Sequence, residues 1–352
     1  MAQQHGGRSV APGPAALAAE LERSYGLAVG DLTPVHGGES ARSYVTTGAD
    51  GRRWFVKHTL PDPCYPRDPR RLDAALRLAA RLRDRVSAAE VVAPASTLAG
   101  APLVRLGGDR LCVFPFVEAR PLGARSGWPD AVLAAVARAV GEMQKATAEL
   151  GGLAPSAERF ALGYEAALPR ALDGLARLGA GARPGQHAAA ELVLPRRGDV
   201  ERLVGRHREL RQFARRRGGP TVLCHTDLNG DNLLVDGAGR VHVVDWDEPR
   251  LAPPEQDVRY LIDLRRLELA LRAYEDAAGP TPLAAELFGF YYYRRVLVDL
   301  AYFLCRVLRP ARSDAEDAHD LAIVRSDCFW AFDGGAERRI DELRRALAGR
   351  VA

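Results

Sequence analysis

The sequence predicts an α+β protein with two lobes, a small one built on an antiparallel sheet and a larger, mostly helical one. Short strand-like pieces separated by glycine-containing turns fill much of the chain before residue 115. Apolar residues at helical spacing dominate the chain after residue 129. A chain of 352 residues is also too long for one small core. We therefore expect a disordered tail over residues 1–13, a first lobe over residues 14–115 and a second lobe over residues 116–352.

The first lobe is expected to begin with a helix and three strands. Pro14 can start a helix that ends at Gly26, because proline suits the first turn and glycine the residue after the last. Strand-like pieces follow at residues 32–35, 43–47 and 53–58. A loop over residues 36–41 joins the first two, and turn residues at 48–51 join the last two. A helix over residues 69–86 and strands at 103–106 and 111–114 complete the lobe.

The second lobe is expected to be helical, apart from one hairpin. An apolar stripe from Val132 to Met143 predicts a core helix that opens at Pro129. Glycine and proline breakers divide residues 151–220 into shorter pieces, which we interpret as a helical insertion. The arginine-rich run at 206–217 has little aromatic interleaving, so a solvated helix face is favoured over a nucleic-acid surface. Further helices are expected over residues 258–277, 283–308 and 315–350, with a break at residues 334–335.

The stretch from Leu223 to Asp247 reads LCHTDLNGDNLLVDGAGRVHVVDWD and predicts a loop followed by a β-hairpin. A tight hairpin brings its ends together, so Asn232 and Asp245 should lie side by side. With Asp227 five residues upstream, these oxygen donors suit Mg²⁺, which also binds phosphate oxygens. The alternative is a solvated turn with scattered acidic residues.

The spacing in this stretch resembles a known catalytic loop. His225-x-Asp227-x4-Asn232, followed by Asp245 after an apolar strand, is similar to the catalytic loop and metal-binding aspartate of protein-kinase-like folds. Trp246-Asp247 replaces the kinase Phe-Gly, as in the aminoglycoside phosphotransferase and choline kinase family. The run VVDWDEP at residues 243–249 looks most like the spectinomycin phosphotransferases. The resemblance implies a bilobal protein-kinase-like fold that uses ATP and Mg²⁺ to phosphorylate a small-molecule hydroxyl group.

The resemblance also implies roles for residues near the nucleotide. Asp227 is expected to be the catalytic base, and Asn232 and Asp245 the metal ligands. Only two of the 49 basic residues are lysines, and Lys57 ends the third strand, where this fold places the lysine that contacts the α- and β-phosphates. The loop residues expected to approach the phosphates through their backbone are Gly38, Glu39 and Ser40.

The first lobe should supply further nucleotide contacts. Asp73 is expected to pair with Lys57, although the family usually has glutamate there, and Asp84 and Glu90 are alternatives. Phe114, Pro115 and Val117 resemble the hinge that binds adenine. An ordinary edge strand ending at a proline is the alternative interpretation of that segment.

The acceptor is expected to be a small molecule. Glu255 of the Ala-Pro-Pro-Glu run follows Asp247 by only a few residues, which leaves no room for a peptide-docking segment. Asp257 is expected to bond the backbone of the catalytic loop. A cationic aminocyclitol would favour carboxylates and aromatic faces, although core packing is the alternative for each candidate. The acceptor-binding candidates are Asp247, Asp263, Glu268 and Trp330, with Asp299 and Phe329 as further possibilities.

Three functions of different classes fit these residues. The first is an antibiotic phosphotransferase that gives resistance or self-resistance, with an aminocyclitol, nucleoside or peptide antibiotic as acceptor. The second is a metabolic kinase for choline, homoserine or a sugar-like alcohol. The third is a nucleotide-binding protein without turnover, against which the intact Lys57, Asp227, Asn232 and Asp245 argue.

Composition indicates no macromolecular partner. A net charge of +4, with 47% hydrophobic and 27% charged residues, does not point to nucleic acid or a membrane. The longest apolar segment, residues 287–308, is interrupted by charges and fits a buried helix better than a membrane span. The amino terminus lacks the basic and apolar regions of a signal peptide. We expect a cytoplasmic monomer or homodimer.

Overall fold

The computed structural model describes residues 12–35, 41–66 and 68–351. Contacts within the chain define two compact units: Met1–Gly123 with Asn229–Glu248, and Ala124–Leu228 with Pro249–Ala352. The chain therefore passes from one unit to the other three times. Most of the expected tail, residues 1–13, lies outside the described residues, as does the loop segment 36–40.

The elements are numbered in chain order. The strands are β1 (Thr33–Val35), β2 (Ala41–Thr47), β3 (Arg53–Thr59), β4 (Glu90–Val91), β5 (Val104–Leu106), β6 (Asp109–Pro115), β7 (Ala119–Pro121), β8 (Val222–Cys224), β9 (Leu233–Asp236), β10 (Val241–Val243) and β11 (Arg250–Ala252). The α-helices are α1 (Pro14–Tyr25), α2 (Pro69–Leu82), α3 (Asp130–Lys145), α4 (Ala167–Ala176), α5 (Pro184–Val193), α6 (Arg197–Arg217), α7 (Glu255–Val258), α8 (Leu267–Ala278), α9 (Ala285–Val307), α10 (Asp314–Ile323), α11 (Phe329–Phe332) and α12 (Gly335–Val351).

The first unit is built on an antiparallel sheet with the strand order β1-β2-β3-β6-β5. Leu17 and Leu21 of α1 pack on one face of this sheet, against Val56 and Val113. Because successive strand residues point to opposite faces, Lys57 faces away from α1. The apolar core shared with α1 therefore lies on one face of the sheet, and Lys57 lies on the opposite face.

A second sheet of the first unit brings in residues from far along the chain. Its strand order is β4-β10-β9-β7, and β4 runs parallel to β10. The hairpin β9–β10 therefore joins strands from the N-terminal 121 residues. This pairing explains why residues 229–248 belong to the first unit, which a division of the chain at residue 115 does not include.

The second unit is helical, with only the two-stranded β8–β11 ladder among its described residues. Helix α3 packs closely on α8, because Gly141 leaves room for the backbone of that helix: an added Cβ atom would lie 2.6 Å from the carbonyl oxygen of Tyr274. Helix α9 is buried along most of its length and packs against α4, α6 and α12. The expected α+β class, with an antiparallel sheet in the N-terminal region and helices beyond it, is confirmed.

The helices differ from the sequence prediction most clearly in one place, while the helix expected over residues 69–86 ends earlier, at Leu82. The expected helix over residues 258–277 is wrong for residues 259–266, which form turns between α7 and α8. Asp263 accepts a hydrogen bond from the backbone of Arg265 there, and such a bond competes with helix formation. Of the helices described, none has both the length and the apolar character that crossing a membrane requires.

Candidate active site

Lys57 forms ion pairs with two carboxylates of the first unit. Its Nζ atom donates to Oδ1 of Asp245 at 2.6 Å and to Oδ2 of Asp247 at 2.9 Å. The lysine side chain is only 11% exposed. Burial disfavours its ammonium form, but the two carboxylates outweigh burial and raise the pKa of Lys57. Lys57 is therefore a permanently charged, buried cation between two acids.

The hairpin holds Asn232 beside Asp245. Leu233 pairs with Val243, and the carbonyl of Asn232 accepts from the backbone of Val244 at 3.0 Å. Asp245 itself has a φ of +63°, a left-handed conformation that is rare outside glycine and concentrated at functional sites. The expected juxtaposition of the two ends of the hairpin is confirmed.

The side chains at this end of the hairpin suit Mg²⁺. An amide oxygen from Asn232 and carboxylate oxygens from Asp245 and Asp247 are the hard donors that Mg²⁺ prefers. Across the described ranges, no group of three or more His, Cys, Asp or Glu side chains is arranged to hold a metal ion. The oxygen donors of Asn232, Asp245 and Asp247 therefore fit a metal ion that completes its coordination with phosphate and water oxygens.

Gly230, two residues before Asn232, is required by close packing. A Cβ atom at this position would lie 1.9 Å from the carbonyl oxygen of Gly123. The backbone N–H of Gly123 in turn donates to the carbonyl of Gly230 at 3.1 Å. The loop that leads to Asn232 is thus fixed to the segment after β7, within the first unit.

The expected hinge lies on the strand next to Lys57. Strand β6 pairs with β3, so that Pro115 is opposite Trp54 and Phe114 is opposite Phe55. Phe114 packs with Leu76 of α2, on the same face of the sheet as Lys57. Beyond the strand, the carbonyl of Val117 accepts from the backbone of Ala119 at 2.9 Å.

The other expected nucleotide residues are placed as follows. Gly38, Glu39 and Ser40 lie outside the described residues. Asp73 of α2 accepts from Nε of Arg77 at 2.8 Å, one helical turn away. Glu90 was an alternative partner for Lys57, and its Oε2 atom lies 3.3 Å from Nδ1 of His242.

Asp227, in the second unit, is held by an arginine and a tyrosine. Its Oδ1 atom accepts from Nη1 of Arg295 at 2.9 Å and from the Tyr260 hydroxyl at 3.1 Å. Burial disfavours the ionised carboxyl, but Arg295, His225 and Arg259, together with the Tyr260 hydrogen bond, lower the pKa of Asp227. Asp227 is therefore a carboxylate at neutral pH.

A strained residue precedes Asp227. Thr226 has a φ of +77°, and its carbonyl accepts from Gln256 and Arg259. Asp257, which is fully buried, accepts from the backbone N–H groups of His225 at 2.6 Å and Thr226 at 2.9 Å. The expected bond from Asp257 to the backbone of this loop is confirmed, and these bonds stabilise the strained conformation of Thr226.

Each acceptor candidate chosen from the sequence makes its own contacts. Asp247 accepts a hydrogen bond from Nζ of Lys57, and Asp263 forms an ion pair with Arg266 at 2.9 Å. Glu268 is exposed and pairs with Arg272 and Arg350. Trp330 donates to the carbonyl of Asp327, and its ring lies edge-on to Tyr292 at 6.2 Å.

Two residues that contact Asp227 were not identified from the sequence. Tyr260 lies in the turn segment where a helix was expected. In the sequence, Arg295 is a charged residue that interrupts an apolar helix. Its spacing from Asp299 indicates that the two side chains pair. The two side chains are four residues apart on α9, and Nε of Arg295 donates to Asp299 at 2.5 Å.

Comparisons with known proteins identify the family. The sequence pattern of the phosphotransferase enzyme family matches residues 31–288, which is more than half of the chain. A search of curated proteins by sequence gave no match.

Solved structures share the fold. Spectinomycin phosphotransferase APH(9)-Ia, solved with ADP and spectinomycin, has a TM-score of 0.72 at 15% identity, over 93% of this chain and 99% of that one. A microcompartment-associated aminopropanol kinase has a TM-score of 0.61 at 14% identity, over 93% and 98% of the two chains. Choline kinase LicA from Streptococcus pneumoniae has a TM-score of 0.53 at 16% identity, over 88% and 98%. With the match to residues 31–288, this chain belongs to the phosphotransferase enzyme family.

Proposed function

We propose that this phosphotransferase moves the γ-phosphoryl group of ATP to a hydroxyl group of a small-molecule antibiotic and thereby gives resistance. The observation that carries the proposal is the contact between Lys57 and Asp245, which lie 188 residues apart in the chain. A buried lysine on a carboxylate beside an amide oxygen suits the phosphate groups of a nucleotide and their metal ion.

The nucleotide would be held by residues of the first unit. Lys57 binds phosphate oxygens through its ammonium group, and the hinge around Pro115 and Val117 offers backbone groups to the adenine ring. Asn232 and Asp245 would hold Mg²⁺, which neutralises phosphate charge when bound. Asp247 would hold Lys57 in place, because its Oδ2 atom accepts a second hydrogen bond from the lysine Nζ at 2.9 Å.

Asp227 would act on the acceptor. Its low pKa makes it a weak base, so its main role is to orient the acceptor hydroxyl and to take up its proton as the new P–O bond forms and the bond from the γ-phosphorus to the leaving ADP breaks. Arg295 and Tyr260 fix the carboxylate through Oδ1. Asp257 fixes the backbone that carries Asp227.

The acceptor class is supported by likeness to an antibiotic phosphotransferase. The fold is shared with the spectinomycin enzyme over 93% of this chain, and the run Asp-Trp-Asp-Glu-Pro at residues 245–249 points the same way. A metabolic kinase for choline, homoserine or another small alcohol is the second candidate, because the aminopropanol kinase shares the fold over the same fraction of the chain.

A transfer assay tests the proposal. The purified protein is incubated with γ-labelled ATP, Mg²⁺ and a panel of aminocyclitol, nucleoside and peptide antibiotics, with choline, homoserine and aminopropanol as metabolic acceptors. We expect labelled product with an antibiotic, and resistance of a sensitive host that expresses the chain but not its Asp227→Asn variant. Transfer only to a metabolic alcohol would replace the antibiotic assignment, and no transfer with any acceptor would contradict the proposal.

A further inference from the structure

Three arginines near Tyr260 lack carboxylate partners. Among the described residues, Arg125, Arg259 and Arg339 form no ion pair, and their hydrogen bonds go to backbone carbonyls or to a hydroxyl. Elsewhere in the unit, most half-buried arginines pair with acids, as Arg294 does with Glu158, although Arg211 bonds only the carbonyl of Phe160 among the described residues. A guanidinium that is taken partly out of water without a counter-charge is costly, so this grouping needs an explanation.

The side chain of Tyr292 lies beside Arg339. Tyr292 is 8% exposed, and its hydroxyl has no hydrogen-bond partner among the described residues. The guanidinium carbon of Arg339 lies 5.8 Å from the centroid of its ring. Burial raises the pKa of Tyr292, whereas Arg339, Arg125 and Arg259 all act to lower it, as nearby cations do. The unpartnered hydroxyl is thus a hydrogen-bond donor in a positive environment.

Arg259 faces the carboxylates of Asp227 and Asp257, whereas Arg125 and Arg339 pair with no acid among the described residues. Asp263 is the one nearby acid that acts on Arg125, and it is already paired with Arg266. Burial and the charge of Arg339 lower the pKa of Arg125, as expected when a cation faces a second cation. An anion placed between them would relieve both effects.

The grouping is connected to Asp227 from two sides. Nη1 of Arg125 donates to the backbone carbonyl of Tyr260 at 2.8 Å, and the hydroxyl of the same tyrosine donates to Asp227. Tyr292 lies on α9 three residues before Arg295, which pairs with Asp227. Residues three apart on a helix share a face, about 5 Å apart. Asp227 and the grouping are thus joined through Tyr260 on one side and through one turn of α9 on the other.

We propose that Tyr292, Arg125 and Arg339 form a subsite that binds an anionic oxygen group, a carboxylate or a phosphate, of the acceptor. The inference rests on the proposed function and narrows its substrate class. It favours acceptors that carry an acid near the reacting hydroxyl and disfavours acceptors that are cationic there. Nucleoside and peptide antibiotics that carry an acid group fit this subsite better than cationic aminocyclitols.

Anion titration of the intact protein tests the subsite. Inorganic phosphate and acetate are titrated calorimetrically, with the nucleotide site first saturated with Mg²⁺ and a non-hydrolysable ATP analogue. We expect saturable binding that Arg125→Gln and Arg339→Gln each weaken about tenfold or more, and that Tyr292→Phe weakens a few-fold. Arg338→Gln is the matched control, since Arg338 is exposed on the same helix and donates to the carbonyl of Asp333.

The outcomes separate this inference from the proposed function. Failure of the analogue to bind would contradict the proposed function, and the anion titration would still compare the variants. No saturable binding, or equal weakening by Arg338→Gln, would overturn the subsite. If Arg125→Gln does not fold, as judged by its melting temperature, Arg339→Gln provides the same test from another element. In transfer assays, Arg339→Gln should raise the KM of an acid-bearing acceptor about tenfold and leave that of a neutral acceptor unchanged, whereas binding of free phosphate alone would not produce that difference.

Discussion

Arg295 donates from Nη1 to Oδ1 of Asp227 at 2.9 Å, and from Nε to Oδ2 of Asp299 at 2.5 Å. One guanidinium therefore ties the carboxylate proposed as base to helix α9. Burial favours protonation of Asp227, and Arg295 is the strongest of the influences that oppose it. The ionisation of Asp227 should thus depend on a residue 68 positions further along the chain.

Replacing Arg295 should change the pH dependence of transfer. In Arg295→Gln, the pKa of Asp227 rises because a lowering charge is lost, so the acid limb of the kcat/KM profile moves to higher pH. Arg295→Lys keeps the charge and should move the limb less. An unchanged limb in Arg295→Gln would show that Arg295 does not set the ionisation of Asp227.

Asp227→Asn should reduce kcat by about 10²–10⁴-fold, because the amide cannot take up the proton of the acceptor. Nucleotide affinity should stay close to that of the unaltered protein, since the proposed nucleotide ligands are other residues. Turnover is measured with saturating acceptor, and affinity by calorimetry with an ATP analogue. Retention of full turnover would refute the role of Asp227.

Lys57→Met should weaken nucleotide binding and also lower stability. The change leaves Asp245 and Asp247 without their shared cation, which should cost about 1–3 kcal/mol in the free energy of urea unfolding. Lys57→Arg should not restore binding, because a planar guanidinium cannot replace a compact ammonium between two carboxylates. Exposed Lys145→Met is the control and should be neutral. Tight nucleotide binding by Lys57→Met would argue against the proposed phosphate contact.

Gly141→Ala should destabilise the contact between α3 and α8. The added methyl group would lie 2.6 Å from the carbonyl oxygen of Tyr274, so the helices must move apart, at a cost of about 1–3 kcal/mol. Gly205→Ala is the matched control in α6, where an added Cβ meets nothing within 4 Å. That change should raise stability by about 0.5–1 kcal/mol, as alanine favours helices. Equal effects in thermal unfolding would contradict the packing argument.

Glu255→Gln should flatten the dependence of stability on pH. Burial raises the pKa of Glu255 from 4.5 to about 7, and its Oε2 atom has no hydrogen-bond partner among the described residues. A carboxyl group whose pKa is higher in the folded state contributes stability below pH 4.5, and that contribution is lost as the pH rises through about 7. Unfolding measured between pH 5 and 8 should show a slope that the variant lacks.

The local parts of the site could be predicted from the sequence. Asn232 and Asp245 belong to one hairpin, so the register of a short loop was enough to bring them together. Lys57 could be picked out because lysine is rare in this chain and because an apolar strand precedes it. Helix α1 was predicted with its observed ends, since Pro14 and Gly26 mark them.

The long-range parts could not be predicted. No spacing rule shows that Arg295 of α9 faces Asp227, because that contact depends on how separate helices pack. Asp73 was expected to pair with Lys57. It pairs instead with Arg77, which lies one turn away on the same helix. Tyr260 was placed in a helix because its segment has helical spacing, whereas the hydrogen bond from its side chain to Asp227 depends on tertiary structure.

The three chain crossings have a practical consequence for dissecting the protein. A fragment cut after Gly123 carries Lys57 but neither Asp245 nor Asp247, and it lacks the two inner strands of one of its sheets. Expressing the N-terminal region alone should therefore yield an incomplete, poorly soluble polypeptide. To restore the missing strands, residues 229–248 would have to be added as a separate peptide or joined to the fragment in a rearranged gene.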